Sequence, residues 1–120
     1  MFTVLDDLLQ TLFPSYCRGC RKAIPTKTTL CLHCLSELPT TNFHLSNSNP
    51  LMKLLQQLTP ISYATSLFFF EQQGLVQQLI HQLKYMNGEQ LGSLFGSLLW
   101  QKVVGSSFLS CDLVVPIPLQ

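Results

Sequence analysis

The stretch CRGCRKAIPTKTTLCLHC, residues 17–34, carries two C-x-x-C units with ten residues between them. A C-x-x-C turn lets two thiolates converge on one tetrahedral ion, and two such turns close a four-sulfur site. Cys17, Cys20, Cys31 and Cys34 are therefore expected to hold one zinc ion, structural because no coordination position is left open. Gly19 sits where the first turn can require a positive φ. Arg18, Arg21, Lys22 and Lys27 offset the negative charge of a zinc tetrathiolate. The second turn, CLHC, has no glycine. His33 within it is an alternative fourth ligand, and free or redox-paired cysteines are the alternative to a metal. No thioredoxin-like βαβ pattern surrounds either pair, which favours the metal.

Outward from this module, residues 1–13 place Val4, Leu5, Leu8, Leu9, Leu12 and Phe13 at helical spacing, and Pro14 ends the helix. The segment has no basic start, carries Asp6 and Asp7, and lacks a small-residue cleavage site, so it does not read as a signal peptide. Residues 1–39 form a first unit of helix plus cysteine module. Residues 40–61 follow as a linker, TTNFHLSNSNP, and a short helix with Leu51, Leu54, Leu55 and Leu58 on one face, stopped by Pro60. Residues 62–120 make a third unit. In it SYATSLFFF, residues 62–70, reads as a buried strand. Leu75, Val76, Leu79, Ile80 and Leu83 mark a helix that stops near Asn87 and Gly88. Leu91, Leu94, Phe95, Leu98, Leu99 and Val103 mark another, with Gly92 and Gly96 as a small face for close packing. Asp112–Pro118, DLVVPIP, has the composition of a parallel strand buried on both faces. Strand, helix, helix, strand is the order of an α/β unit.

Composition narrows the function. Hydrophobic residues make up 47% of the 120 and charged residues 11%, against roughly 25% charged in an average globular protein, and the net charge is +1. The total charge gives no field to gather a polyanion. Four of the seven basic residues lie at Arg18, Arg21, Lys22 and Lys27, so any nucleic-acid contact is expected to be weak and local to the cysteine module. The apolar stretch from Leu91 to Leu109 is broken by Lys102 and by serines and glycines, which argues against a membrane span. With paired cysteines suited to a reducing compartment, the expectation is a cytoplasmic protein.

Outside the module, Cys111 reads as a small core residue and His44 as a solvated loop histidine. Lys84, close to His81 and Tyr85, complements a helix C-terminus. It could instead point a cation into a site, and Pro116 and Pro118 would place rigid backbone at the carboxyl edge of a sheet, where open α/β folds bind ligands. No Ser/His/Asp order, P-loop or glycine-rich dinucleotide turn is present, so catalysis is not legible.

Taken in order, CRGC, CLHC with the following LP, SLFFFE, GLVQQLIHQLKYMNG and DLVVPIPL resemble the first half of ComF-type proteins, the competence-protein-F or amidophosphoribosyltransferase-like family. The resemblance runs from about Leu12 to Leu119. It implies a zinc-ribbon-like module joined to a type I phosphoribosyltransferase fold with a parallel sheet, and a link to DNA uptake, with DNA-uptake or recombination proteins as partners. It also implies backbone duties beside phosphoribosyl pyrophosphate for Pro116, Ile117 and Pro118, with Lys84 near them. Phosphoribosyl pyrophosphate and magnesium belong to the complete family fold. The family's basic R-G-x-N-Q loop and its acidic, threonine-rich and glycine-rich motif do not occur before Gln120. The expectation is thus a truncated member, a zinc-binding accessory protein inactive alone, or else one half of a split enzyme, or a small zinc-ribbon module that touches nucleic acid through Arg18, Arg21, Lys22 and Lys27.

Overall fold

Residues 4–25 and 27–118 are described by a computed structural model. The first three positions of the expected N-terminal helix, Thr26, and Leu119 of the last motif lie outside the described residues. The helix itself is α1, Val4–Leu12, and it is amphipathic as expected, yet none of its side chains is buried. Two short strands follow, β1 (Ser15–Tyr16) and β2 (Ala23–Ile24), paired antiparallel with Ser15 opposite Ile24 and Tyr16 opposite Ala23. The five-residue helix α2 (Leu32–Ser36) starts at Cys31, whose side chain accepts the Cys34 backbone N–H as an N-cap.

Helix α3, Pro50–Gln56, begins with proline at a position where no N–H is needed. Asn49 caps it. Its Oδ1 accepts the Met52 N–H at 2.8 Å, while its Nδ2 donates to the carbonyls of Phe43, Ser46 and Ala64 at 3.1, 3.0 and 2.9 Å. One buried amide thus joins the linker, α3 and the segment before the aromatic run. The apolar face is rotated from the expected one. Met52 is the buried residue, whereas Leu54 and Leu58 are exposed.

Helices α4 (Leu75–Tyr85) and α5 (Glu89–Val103) lie where the 3.6-residue spacing puts them. The turn between them needs a left-handed residue, supplied by Asn87 at φ 51°. Gly88 answers a different demand, because a Cβ there would lie 2.3 Å from Leu83 Cα. On α5 a Cβ at Gly92 would meet Leu83 Cδ1 at 3.5 Å, an ordinary contact, and one at Gly96 would meet open space, so neither glycine is required for close packing as expected. Val76, Leu79 and Leu91 are buried, with Leu75, Ile80, Leu83, Leu94, Phe95 and Leu98 packed against them. Leu99 is exposed, off the face expected for it.

The expected α/β sheet is not formed among the described residues; the chain is mixed helical with one small antiparallel ribbon. The aromatic run, expected as a strand over 62–70, makes a single antiparallel bridge from Phe68 to Thr40. Phe69 N donates to Pro39 O at 2.8 Å and Thr41 N to Leu67 O at 3.2 Å, so this edge is taken up by the segment that leaves α2. Phe68 packs edge-on against Phe95, with ring centroids 5.3 Å apart. Asp112–Pro118 finds no ladder partner among the described residues, and prolines at positions 116 and 118 remove two of its donors. Far from being buried on both faces, Leu113, Val114, Val115 and Ile117 are 72–90% exposed. With this run and α1 both unpacked, the radius of gyration is 17.7 Å, against about 14 Å for a compact chain of this length.

The core does not stop at the end of the cysteine module. Cys17, Ile24, Leu30, Cys34 and Leu38 form one buried cluster with Val76, Leu79 and Leu91, so the module rests on α4 and α5.

Candidate metal centre

Backbone hydrogen bonds shape the first turn. Cys17 N donates to Lys22 O, Arg21 N to Cys17 O, and Arg18 N to Thr29 O, at 2.9, 2.9 and 3.0 Å. These bonds fold residues 17–22 back on themselves and tie the turn to the segment that precedes Cys31. The left-handed residue is Arg21, at φ 62°, not the expected Gly19. Gly19 is required for space. A Cβ at that position would lie 2.8 Å from Cys34 Sγ and 3.1 Å from Leu75 Cδ1. The second turn needs no glycine because α2 supplies its shape, with Cys31 as N-cap and Cys34 inside the first turn.

The four sulfurs of Cys17, Cys20, Cys31 and Cys34 lie within 4.8 Å of one another, as the spacing predicts. Cys20 Sγ and Cys31 Sγ are 3.7 Å apart, which matches the edge, about 3.8 Å, of a tetrahedron with bonds of roughly 2.3 Å. An all-thiolate donor set of this size suits a soft or borderline ion and could hold a metal such as zinc. His33, the alternative ligand, is exposed on α2 and is not part of the cluster. No disulfide joins the cysteines, and Cys17 and Cys34 face inward while Cys20 is exposed.

Two of the sulfurs are poised differently. Burial works against a charge at Cys17, but the N–H groups of Cys31, Cys20 and Gly19 and the Cys31 side chain outweigh it, lowering its pKa from 9.0 to about 6. Cys31 N and Gly19 N stand 3.2 and 3.4 Å from that sulfur. At Cys34 burial is the largest cause of a rise to about 12, reinforced by the neighbouring cysteine side chains and the Cys17 charge. Without a metal the cluster therefore holds one favoured thiolate and one thiol that resists ionisation. A bound dication would reverse the balance at Cys34.

The other candidates stay apart from this centre. Lys84 is exposed near the end of α4, and Pro116, Ile117 and Pro118 are exposed in an irregular run. No hydrogen bond among the described residues joins Lys84 to those three. His81 is exposed and stacks obliquely on Tyr85, with ring centroids 5.0 Å apart. Cys111 is exposed, not a core residue. A groove of about 720 Å³ is lined by α1 residues together with Phe13, Ser15, Pro25 and Lys27, and by none of the cysteines. Two residues of α4 position the site, Gln82, which composition and spacing do not single out, and Leu75, which spacing marks only as a helix core residue. Gln82 donates to Arg18 O at 2.9 Å, anchoring the first turn on α4, and Leu75 packs on Gly19. Among the described residues no helix is long and apolar enough to cross a membrane. Comparison with protein-family models, curated proteins and solved structures finds no match to this chain.

Proposed function

We propose that this chain is a ComF-type zinc-binding accessory protein, in which a structural zinc at Cys17, Cys20, Cys31 and Cys34 fixes the N-terminal module onto α4 and α5. The observation that carries the metal reading is the convergence of four sulfurs within 4.8 Å, two of them buried in the core shared with the helices. Zinc supplies a fixed tetrahedral cross-link with no redox chemistry of its own. The chain's own residues do the rest: Gly19 leaves room for the Cys34 sulfur, Gln82 holds the first turn, and Cys31 both ligates and caps. The family reading is supported by the order of motifs from CRGC to DLVVPIP, and it brings with it the link to DNA uptake. Elemental analysis of protein purified without chelator tests the first part, with one zinc per chain expected. Uptake of labelled DNA by cells lacking the gene tests the second, with a fall expected.

One observation favours a second reading. Leu113–Ile117 is an apolar run exposed on both faces, the state of a strand awaiting neighbours in a sheet. On that reading the chain is one half of a phosphoribosyltransferase completed by further polypeptide. Calorimetry with phosphoribosyl pyrophosphate and magnesium separates the two, because an accessory protein shows no saturable binding and an assembled enzyme half does.

A further inference from the structure

The first turn and α4 enclose two contiguous grooves of about 580 and 600 Å³, which share Arg18, Arg21, Gln82 and Met86. Tyr16 lines the outer end of one, and His81 lines the other with Tyr85 against it. Neither groove has a carboxylate in its lining. Among the described residues neither arginine is paired with an acid, and neither donates to a cysteine sulfur. Arg18 instead turns to α4, its guanidinium reaching Met86 O at 3.5 Å. Arg21 is exposed. Neutralising the thiolates therefore does not account for where these two cations point.

Lys27 also lines the first groove, but three cations fall short of the roughly six to ten phosphate contacts on which nucleic-acid affinity rests. The rest of the lining is of another kind: the exposed side chains of Tyr16 and Met86, and the amides of Gln78 and Gln90, which make no side-chain hydrogen bond among the described residues. Amides of that sort pair with a peptide backbone, apolar side chains cover apolar side chains, and paired arginines take carboxylates. We propose that the joined grooves are a docking site for an acidic, partly apolar, extended segment of another protein, with its carboxylates on Arg18 and Arg21. The site rests on the metal reading, since the first cysteine turn is one of its walls.

The test uses the zinc-loaded chain against an array of decapeptides that combine Asp and Glu with Leu, Phe and Trp in varied order, and a matched array with Lys in place of the acids. Acidic decapeptides are expected to bind and lysine ones not. Arg21→Gly suits the left-handed backbone and Arg18→Gln keeps a hydrogen-bond donor, so both should retain zinc and each weaken binding by about tenfold. Equal binding of both arrays, no binding of any acidic peptide, or tighter binding of a 20-nucleotide oligothymidylate than of any peptide would overturn the proposal. Zinc measured on the same samples separates the two readings. A chain without zinc that ignores the peptides overturns both, and a zinc-loaded chain that ignores them overturns this one alone.

Discussion

Gly19 and Cys34 are in contact across the two turns, so close that a methyl group on residue 19 would sit 2.8 Å from the Cys34 sulfur. That sulfur is buried and has Leu75 on the same side, at 3.1 Å from the same methyl position. Gly19→Ala must therefore push a ligand out of place or push α4 away. We expect a loss of about 1–3 kcal/mol in stability from overpacking, and zinc that passes to a chelating dye at least tenfold faster. Unchanged zinc retention would show that the contact is slack.

Cys31→Ser separates two duties of one residue. Serine is as good an N-cap as any side chain, so α2 should keep its helical start. The metal ligand is lost. We expect zinc content to fall below half and the melting temperature to drop by 10 °C or more, at about 4 °C per kcal/mol for a chain of this size. Because Cys17 and Cys34 share a core with Leu79 and Leu91, hydrogen exchange should rise in α4 and α5 as well as in residues 14–39. Loosening confined to the cysteine module would contradict a shared core.

The metal-free protein should have a stability maximum set by two cysteines. Cys17 has its pKa lowered from 9.0 to about 6, so its contribution is complete above pH 9 and is lost as pH falls towards 6. Cys34 is raised from 9.0 to about 12, so its contribution is complete below pH 9 and is lost as pH rises towards 12. Thermal melts of chelator-treated protein should peak near pH 9. Zinc binding at pH 7.5 should release fewer than four protons, because Cys17 is already largely ionised; calorimetry in buffers of different ionisation enthalpy counts them.

Asn49→Ala removes a cap and leaves three carbonyls without their donor, which should cost about 2–3 kcal/mol. Asn49→Asp should be worse. It keeps the cap acceptor but sets a carboxylate against the same three carbonyls. Urea titrations rank the two variants, and an aspartate variant as stable as the parent would count against this geometry.

The exposed run from Leu113 to Ile117 should make the chain self-associate at tens of micromolar. Val114→Lys, which places a charge on the unpaired edge, is expected to restore a monomer in light scattering. An equally monodisperse parent protein would remove the premise.

What could be read from the sequence followed the strength of its periodicity and spacing. The doubled C-x-x-C brought its four sulfurs together, and Leu75–Leu83 and Leu91–Leu98 formed the helices that their spacing demands. Strands were harder. An apolar run such as DLVVPIP announces a wish to be covered but does not say by what, and here the described residues supply no neighbour. Turn chemistry was legible only in part: in the first cysteine turn left-handed backbone fell on Arg21 and not on Gly19, the stop expected near Asn87 and Gly88 takes it at Asn87, and Gly19 and Gly88 serve close packing. The buried face of α3 turned to Met52, and Asn49 became its organiser, because a cap and three carbonyls converge there only in three dimensions.

Leu75 closing over Gly19 also sets an order of events during synthesis. All four cysteines leave the ribosome some forty residues before α4 does, a gap of roughly 2–8 s at 5–20 residues per second. During that interval the thiols stand without the wall that later shuts on them. An ion captured then would still be open to exchange for a competitor, whereas one bound after α4 has packed would have Leu75 beside the first turn.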